Sequence, residues 1–338
     1  MFRQRLAWAG VVLILLAGGL AACHPSAPVG SSLSFTGATI RIIVGFAPGG
    51  TYDLHARLVA GHLGHYLPGQ PTVLVENMTG AGGALASNYL ATAAAPDGLT
   101  IGLIAETNAA EVAASKLLDR LALLGSPAAS TPLMVFSKRS RITSIDDWRR
   151  APAPLRIASS GRRATTFVVP RLIASILQLP TRVVSGYSGT AEIRLALDSG
   201  EADGVCVTAD SVTTLFGSFD AVRVVLRFGS AALPDLSVPD ALSLAPDSHA
   251  RRLLETGVYD MSPLIRVFAA PRAVPGPVLA LLRDALARTW SDPQFLDEAR
   301  KAGLVIAPVS AEKVEETARK VSMAADALPE LDKILRAE

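Results

Sequence analysis

Two segments of the chain combine glycines with hydroxyl or acidic side chains directly after a short apolar strand. The first is Pro48-Gly49-Gly50 followed by Thr51-Tyr52-Asp53, and the second is Ser159-Ser160-Gly161 followed by Thr165-Thr166. A strand that turns at a glycine and continues as a helix leaves backbone N–H groups unpaired, and the helix dipole makes that end positive. These two segments therefore predict a cradle for a small anion, most simply a carboxylate.

Nucleotide sites are not expected in this chain. No Gly-Lys-Ser/Thr follows the glycine turns at 48–50 and 80–83, and neither turn has the Gly-x-Gly-x-x-Gly spacing. A hydrolase triad also lacks support, because Gly186-Tyr187-Ser188-Gly189 is one residue short of the Gly-x-Ser-x-Gly elbow and His249 has no partner that the sequence assigns. An enzyme on a doubly wound α/β scaffold remains the alternative from another functional class.

Several of the polar side chains near the glycine turns allow a structural and a functional interpretation. Asp53 could cap the first helix, contact the ligand directly or order bridging water. Thr165 and Thr166 could simply begin a helix, or their hydroxyls could donate to a carboxylate. Both interpretations of these three residues stay open from the sequence alone.

The nearby cations and histidines are less informative. Arg162 and Arg163 could be solvated surface charges, which is the commoner case, or a clamp for a second carboxylate. His55, His62 and His65 share one face of the first predicted helix, and His62 and His65 could bind one metal ion. His55 and His62 would lie about 10 Å apart, too far to share that ion, and no cysteine accompanies them, so an ordinary helix face is the better interpretation. We therefore expect no metal site and no cofactor.

The N-terminus reads as a bacterial lipoprotein signal. A basic start precedes an apolar run over residues 6–20, which ends in Leu20-Ala21-Ala22-Cys23. This pattern predicts that residues 1–22 are removed, that Cys23 is lipidated, and that residues 23–38 tether the protein to a membrane. The alternative is an ordinary secretory signal that is cut after Ala22, with Cys23 incidental.

The charge balance excludes classes of partner. Removal of residues 1–22 takes away Arg3 and Arg5, so the mature chain carries 30 basic and 30 acidic residues. Nucleic acid requires a basic surface, so it is not an expected partner. Cys206 is the one cysteine that remains besides the lipidated Cys23, so no intramolecular disulfide is expected, and its apolar neighbours indicate a buried packing residue.

Apolar runs of strand length alternate with helix-like segments along the chain, which predicts largely parallel α/β sheets. A mature chain of about 300 residues exceeds one typical core, so two lobes are expected. Thr107 and Asn108 follow the third predicted strand, at the end where ligands bind in open α/β sheets. The run 264–270 reads as a strand that returns to the first lobe.

Several motifs together resemble a known family of transport proteins. Phe46-Ala47-Pro48-Gly49-Gly50-Thr51-Tyr52-Asp53 is followed by Val75-Glu76-Asn77, Gly80-Ala81-Gly82-Gly83 and Ala95-Pro96-Asp97-Gly98. Later segments of the same kind are Gly186-Tyr187-Ser188-Gly189-Thr190-Ala191-Glu192 and Gly200-Glu201-Ala202-Asp203-Gly204. In order and spacing these resemble the substrate-binding proteins of tripartite tricarboxylate transporters, the Bug family, over nearly the whole chain after residue 38. Arg162 and Arg163 depart from that family, which usually has small residues there.

The resemblance implies a two-lobe periplasmic-binding-protein-like fold with two crossover segments, near 133–138 and 264–270, and a ligand cleft between the lobes. Residues 39–135 with 268–338 would form lobe 1, and residues 136–267 would form lobe 2. The residues expected to contact the ligand are Phe46, Pro48, Gly49, Gly50, Thr51, Tyr52, Asp53, Thr107, Asn108, Ser160, Gly161, Thr165, Thr166, Tyr187 and Asp203.

The function that follows is an extracytoplasmic solute-binding lipoprotein, not an enzyme. A monomer would capture a small organic carboxylate and deliver it to membrane transporter subunits of the tripartite tricarboxylate type. The same architecture could instead serve as a ligand-sensing module for a signalling receptor. The identity of the carboxylate and the choice between inner and outer membrane stay open.

Overall fold

The computed structural model describes residues 33–229 and 237–337, which fold into two five-stranded sheets flanked by helices. The predicted leader, the predicted lipidation at Cys23 and residues 24–32 of the predicted tether lie outside the described residues. The strands are β1 (Thr39–Val44), β2 (Thr72–Asn77), β3 (Thr100–Ile104), β4 (Leu121–Gly125), β5 (Pro132–Phe136), β6 (Leu155–Ser159), β7 (Thr181–Ser185), β8 (Gly204–Thr208), β9 (Arg223–Arg227) and β10 (Val267–Pro271).

The two sheets have the same design. Their strand orders are β2-β1-β3-β10-β4 and β7-β6-β8-β5-β9, and the first three strands of each order run parallel. The fourth strand, β10 or β5, is antiparallel to both of its neighbours. Both β3 and β8 are buried along their whole length, as expected of central strands with covered faces, whereas the edge strands β2 and β7 contain no fully buried residue.

Helices cover both sheets. They are α1 (Thr51–Leu63), α2 (Ala84–Thr92), α3 (Ala109–Ala114), α4 (Leu117–Arg120), α5 (Ile145–Arg149), α6 (Thr165–Leu177), α7 (Thr190–Ser199), α8 (Ala209–Phe216), α9 (Ser248–Leu254), α10 (Gly276–Ser291), α11 (Pro293–Lys301), α12 (Ala311–Ser322) and α13 (Leu328–Arg336). The last helix, α13, packs against α3 beside the first sheet and against α6 beside the second. It therefore joins the two halves of the fold.

The chain crosses between the sheets twice, because β5 directly follows β4 and β10 follows the second sheet's last strand. The two crossing segments are bonded to each other. Ser126 Oγ donates to the carbonyl of Arg266 at 2.7 Å, and Ser262 Oγ donates to the carbonyl of Ser130 at 2.6 Å. The first crossing lies between Gly125 and Pro132, a few residues earlier than predicted, since β5 pairs with β8 in the second sheet.

The predicted two-lobe α/β fold is confirmed, with strands and helices alternating along most of the chain. One difference matters for the site. The run 264–270 is not wholly a strand: Leu264 ends a 3₁₀ turn, and β10 begins only at Val267. Within residues 33–229 and 237–337, no helix is long and apolar enough to cross a bilayer.

Candidate functional site

Four helix N-termini meet between the two sheets. The helices α1, α6, α7 and α8 are preceded by Gly50, Ala164, Gly189 and Thr208, and none of these four residues caps its helix with a side chain. Elsewhere in the described residues, Asn, Ser or Asp side chains cap α3, α5, α9, α11 and α12, whereas α2, α4, α10 and α13 also lack a side-chain cap. At the start of α8 the Ala209 N–H donates to the Thr131 carbonyl and the Ser211 N–H donates to Asp210 Oδ1. The ends of α1, α6 and α7 therefore remain to present backbone N–H groups and the positive ends of helix dipoles to the space between the sheets.

That space contains a first cavity, with an empty volume of about 490 Å³ that is partly open to solvent. It is lined from the first half of the fold by the start of α1 and from the second half by the starts of α6, α7 and α8. The lining residues are Phe46, Gly50, Thr51, Tyr52, Ser160, Ala164, Thr165, Thr166, Thr190, Cys206, Val207, Thr208, Ser211, Ile265 and Arg266. Seven of the predicted site residues are among them: Phe46, Gly50, Thr51, Tyr52, Ser160, Thr165 and Thr166.

The two threonines at the start of α6 differ in their hydrogen bonding. Thr166 Oγ1 accepts a hydrogen bond from the Ser160 N–H at 3.0 Å and lies 3.1 Å from Ser160 Oγ, so it holds the preceding turn in place. Thr165 Oγ1 is buried and has no hydrogen-bond partner in the described part of the chain. A buried hydroxyl without a partner is costly. It is therefore the donor in this wall that is ready for a ligand.

A charged cluster forms another part of the cavity wall. Arg266 is 1% exposed, and its Nη1 donates to Ser130 Oγ at 2.8 Å and lies 3.0 Å from Asp210 Oδ2. Its Nη2 donates to Thr208 Oγ1 at 2.5 Å and to Asp210 Oδ1 at 3.1 Å. The same carboxylate lies 3.0 Å from Nε2 of His55 on α1. The cluster thus joins a crossing segment to both halves of the fold.

Burial and charge set the protonation of this cluster. Burial alone would raise the pKa of the Asp210 carboxyl, but the Arg266 charge and the hydrogen bonds from His55 and Thr208 outweigh it and hold that pKa far below its usual range. Burial lowers the pKa of His55, and Arg266 lowers it further, more than Asp210 raises it. The pair of charges is therefore Arg266 and Asp210, with His55 neutral.

Two aromatic rings separate the charged cluster from the turn after β1. Phe46 and Tyr52 pack with their ring centroids 4.3 Å apart, and the Arg266 guanidinium lies 5.4 Å from the centroid of the Tyr52 ring. The Tyr52 hydroxyl donates to the carbonyl of Ile265. Burial raises the pKa of Tyr52, so the phenol stays neutral. These rings give the cavity an apolar side.

Asp53 holds the turn after β1 in shape. Its Oδ2 accepts from the Gly49 N–H at 2.9 Å and from Arg57 Nε at 2.8 Å, and its Oδ1 accepts from the Asn77 amide at 2.9 Å. Burial would raise the pKa of Asp53, but these three hydrogen bonds outweigh it and lower the pKa. Asp53 is not among the residues that line the first cavity, so it orders the Pro48-Gly49-Gly50 turn instead.

A second cavity, of about 610 Å³ and partly open to solvent, adjoins the first and shares Phe46 and Ser160 with it. Gly161 and Tyr187 line it, together with the glycine turn 80–83. Gly82 (φ +66°) and Gly161 (φ +143°) approach so closely that a Cβ on Gly161 would lie 2.4 Å from the Gly82 nitrogen. The glycines of this turn therefore allow the backbones of the two halves of the fold to approach closely.

Further polar contacts cross between the halves of the fold. The Ala47 N–H donates to the Ser188 carbonyl at 3.2 Å, and Thr51 Oγ1 lies 2.9 Å from Ser211 Oγ. Arg163 forms two ion pairs of 2.7 Å, with Glu106 Oε2 and with Glu111 Oε2. These contacts hold the cleft in a closed arrangement.

Several of the residues predicted to contact the ligand lie outside the two cavities. Pro48 and Gly49 are exposed on the turn. Thr107 Oγ1 donates to the Arg163 carbonyl at 2.5 Å, and Asn108 caps α3. Asp203 precedes β8, at the end of the sheet opposite the cavities, and is paired with Arg156. None of these five residues lines either cavity. The side chains of Thr107, Asn108 and Asp203 are instead bonded to other parts of the fold.

Tyr187 and the two cations after Gly161 complete the account of the predicted residues. Tyr187 lines the second cavity, and its hydroxyl donates to Glu201 Oε1 at 2.7 Å. Arg162 Nη2 donates to the Leu335 carbonyl of α13 at 2.9 Å, whereas Arg163 pairs with Glu106 and Glu111. Neither arginine is a clamp in the cavity, and Arg163 is not a solvated surface charge.

Sequence reasoning missed Arg266, which is the charged residue of the first cavity. Its signal was present, because a lone arginine interrupts the apolar run 264–270. A cation inside a run that reads as a buried strand requires a buried partner. Thr190, Thr208 and Ser211 were missed as well; each lies in the first turn of an uncapped helix or next to it.

The hydrolase alternative finds no support in the described part of the chain. Ser188 bonds Glu192, with its Oγ 2.7 Å from Oε2, and His249 Nε2 lies 2.7 Å from Glu330 Oε2. His55 Nδ1 has no partner, so no nucleophile is bonded to the His55–Asp210 pair. In the described ranges, no group of three or more His, Cys, Asp or Glu side chains could hold a metal ion.

Comparison with known sequences gives a consistent result. The sequence profile of the family described as "Tripartite tricarboxylate transporter family receptor" matches residues 55–328. A "UPF0065 protein" of Bordetella pertussis (strain Tohama I) is 27% identical over 283 residues, which cover 80% of this chain and 82% of the relative. Another from Agrobacterium vitis is 26% identical over 285 residues, with 80% and 77% covered.

Solved structures share the fold. The "periplasmic binding protein BugD" has a TM-score of 0.68 at 19% identity and covers 88% of this chain and 96% of its own. The protein MatC from Rhodopseudomonas palustris, solved with bound malate, has a TM-score of 0.67 at 22% identity, with 88% and 99% covered. A second protein from R. palustris, solved with adipate, has a TM-score of 0.64 at 18% identity, with 88% and 97% covered.

Proposed function

Because the chain belongs to the tripartite tricarboxylate transporter receptor family, we propose that it is an extracytoplasmic solute-binding lipoprotein for a small carboxylate. The observation that carries this proposal is the meeting of three helix N-termini with free N–H groups, those of α1, α6 and α7, at one cavity, beside a buried Thr165 hydroxyl that has no partner among the described residues. Free N–H groups and a helix dipole at such an end suit an anion. The malate and adipate in two structural relatives support a carboxylate as that anion.

In this proposal one carboxylate binds at the start of α6. The Thr165 hydroxyl donates to it, and the N–H groups of the first turn of α6 complete its hydrogen bonds. The turn at Gly50 and the ring of Phe46 close the site from the first lobe. The lobes, with boundaries between Gly125 and Pro132 and near Val267, close on the solute.

The proposed cellular role follows from the family. Lipid on Cys23 would anchor a monomer to the bacterial membrane, and the closed complex would deliver its solute to the membrane subunits of a tripartite tricarboxylate transporter. Deletion of the gene should abolish uptake of the bound carboxylate by whole cells, and a plasmid copy should restore it. Normal uptake in the deletion strain would contradict the transport role and leave the binding site in place.

Thr165→Val tests the site itself. The Thr165 hydroxyl has no partner among residues 33–229 and 237–337, so its loss should leave the melting temperature equal or slightly higher. Loss of a hydrogen bond to a charged ligand costs about 1.5–3 kcal/mol, which weakens binding by about tenfold or more in calorimetry. The control is Thr289→Val, at a buried threonine whose hydroxyl bonds only its own helix. Unchanged affinity for a confirmed carboxylate in Thr165→Val would refute this placement.

Gly50→Val tests the same site from the first lobe. A Cβ on Gly50 would lie 3.2 Å from Thr190 Oγ1, and the valine methyls would extend further toward the second lobe. We expect binding to weaken by about tenfold or more because the lobes can no longer approach. Gly61→Val is the matched control, since Gly61 lies on the same helix with open space around its Cβ position. Equal affinity in the two variants would contradict closure at Gly50.

A further inference from the structure

The last helix of the chain, α13, is bonded to the second half of the fold. Arg162 Nη2, just before α6, donates to the Leu335 carbonyl at 2.9 Å. Arg171 Nη2, on α6 itself, donates to the Ile334 carbonyl at 3.2 Å and to the Ala337 carbonyl. The last carbonyls of a helix have no partner within it, so the two arginines satisfy the C-terminal end of α13 and suit the negative end of its dipole.

Further contacts join α13 and the residues just before it to the same half. Leu331 is fully buried, and a Cβ placed on Gly257 would lie 2.9 Å from its Cδ2, so the helix packs closely on the backbone that leads to the second crossing segment. Two exposed polar pairs flank this contact: His249 Nε2 lies 2.7 Å from Glu330 Oε2, and Arg252 Nε lies 3.1 Å from Asp326 Oδ2. Exposed pairs contribute little. The packing of Leu331 and the two arginine contacts therefore carry the attachment.

The contact of α13 with the first half of the fold is of another kind. The helix packs there against α3, which reads Ala-Ala-Glu-Val-Ala-Ala over residues 109–114. Within residues 33–229 and 237–337, no hydrogen bond or ion pair joins α13 to that half. Small side chains form low ridges, and packed helices can slide along each other. One half of the fold therefore holds α13, and the other only packs against it.

A short turn connects α12 to α13. It spans residues 323–327, which read Met-Ala-Ala-Asp-Ala, and Met323 is 80% exposed. The preceding helix, α12, packs on α3 and β4 of the first half. Near its end, Lys320 Nζ lies 2.6 Å from Asp260 Oδ1, just before the second crossing segment. The chain therefore passes from the first half to the second once more at this turn, close to the other crossings.

We propose that α13 moves with the second lobe when the cleft closes, and that the turn at 323–327 is a third hinge segment. Hinges are short segments at the ends of elements that absorb a change in backbone angles. Lobe 1 then ends near Met323, not at the end of the chain as the sequence predicted. Because α6 carries both α13 and the buried Thr165 hydroxyl, closure slides α13 along α3. This inference rests on the lobe closure of the proposed function and on no particular solute.

Pulsed electron–electron resonance between pairs of spin labels tests this assignment. The labels are attached at three exposed positions: Ser175→Cys on α6, Lys333→Cys on α13 and Ala280→Cys on α10, which packs on β4 of the first sheet. The background is the full chain with Cys23→Ser. Cys206 is fully buried, so it does not take a label.

The label distances are compared in four states. These are the wild type without solute, with malate, with adipate, and the variant Gly50→Trp. The two acids are those bound in structural relatives. A Cβ on Gly50 would already lie 3.2 Å from Thr190 Oγ1, so an indole there holds the lobes apart without any solute. The distance between labels 175 and 280 reports the angle between the lobes.

We expect the distance between labels 333 and 280 to change together with the lobe distance, and the distance between labels 333 and 175 to stay constant. If instead 333 to 175 follows the lobe distance while 333 to 280 stays constant, α13 belongs to lobe 1 and the inference is overturned. A lobe distance that is equal in all four states would overturn it as well, because a third hinge then has no motion to serve. Calorimetry with a panel of carboxylates decides the proposed function separately.

Removal of the two arginines should loosen α13 from its lobe. In the double variant Arg162→Gln with Arg171→Gln, we expect the distribution of distances between labels 175 and 333 to be at least about twofold wider than in the wild type. Arg336→Gln is the matched control, because Arg336 lies on α13 and bonds only Asp332 of the same helix. An unchanged width in the double variant would overturn the role assigned to the arginines. If that variant does not fold, the wild-type distances decide.

Discussion

Replacement of Arg266 by methionine is the sharpest test of the buried cluster. Methionine keeps an apolar stem of similar reach but removes the guanidinium, so Asp210 stays buried with hydrogen bonds from His55 and Thr208 and no opposite charge. Removal of one partner of a buried ion pair costs about 3–5 kcal/mol. We expect the free energy of unfolding of Arg266→Met to fall by about that amount at neutral pH.

The loss of stability in Arg266→Met should depend on pH through the protonation of Asp210. In the wild type the folded-state pKa of Asp210 lies below its unfolded value of about 3.9, so its stabilisation is complete above that pH and lost as pH falls through the folded pKa. In Arg266→Met burial is no longer outweighed by Arg266, so the pKa of Asp210 rises and the folded variant gains stability on protonation. The deficit of the variant should therefore be larger at about pH 7.5 than at about pH 5.

Urea unfolding followed by tryptophan fluorescence measures the deficit, because Trp148 and Trp290 are buried beside different sheets. Adding Asp210→Asn to Arg266→Met removes the uncompensated charge and should recover most of the lost stability. A loss below about 1 kcal/mol that does not change with pH would refute the assignment of a stabilising ion pair, as would a double variant no more stable than Arg266→Met.

The remaining predictions concern the loop, the lobes and the anchor. In urea unfolding near neutral pH, Asp53→Asn should lower the free energy of unfolding by about 1–3 kcal/mol, because an amide cannot accept hydrogen bonds from Gly49, Arg57 and Asn77 together. The folded-state pKa of Asp53 is lowered, so the wild type loses this stabilisation as its carboxyl is protonated, and the difference should shrink below about pH 4. Arg163→Ala should weaken ligand binding by about tenfold in calorimetry at neutral pH, because the Glu106 carboxylate is left buried without its partner. Burial raises the pKa of Glu106, so the carboxyl is more often protonated at about pH 5 and the loss of affinity should be smaller there. If the variant binds as tightly as the wild type at both pH values, this ion pair does not hold the lobes together. Small-angle scattering should give a smaller radius of gyration with ligand than without, and an identical profile at saturation would argue for a preformed pocket. Palmitate should label the wild type and not Cys23→Ser, and a wild type recovered without label would contradict the lipoprotein prediction.

Local signals in the sequence were sufficient to predict the class of the fold, whereas the two crossovers between the lobes followed only from the resemblance to the family. Apolar runs mark the strands, glycine turns mark their ends, and the alternation of strands and helices along the chain indicates α/β sheets. The position of the cleft also followed, since the turns at Gly50 and at Ser160 both lie at carboxyl ends of strands, where ligands bind in such sheets. What these signals share is that each depends on neighbours within a few residues.

The partners of the polar side chains depend instead on residues far apart in the chain. Asp210 and Arg266 are 56 residues apart, and His55 is 155 residues from Asp210. Asp203 and Asp53 both follow glycine-containing motifs of similar appearance, yet one pairs with Arg156 away from the cavities and the other orders the turn after β1. No property of either side chain distinguishes these roles before the sheets place their neighbours.

Two buried polar groups in the closed cleft explain why closure of the lobes should depend on a ligand. With the lobes together, the Thr165 hydroxyl and the Arg266 Nε–H are buried without partners, whereas in an open cleft water can satisfy them. Each unpaired group costs about 1–3 kcal/mol, so closure without a solute is opposed by an amount comparable to the contacts across the lobes. A carboxylate that accepts from Thr165 removes part of that cost only in the closed state. Because it binds the closed state better than the open one, it shifts the population toward closure. In Thr165→Val binding should weaken, and the closed state without solute loses one opposing cost, so closure should depend less on the ligand than in the wild type.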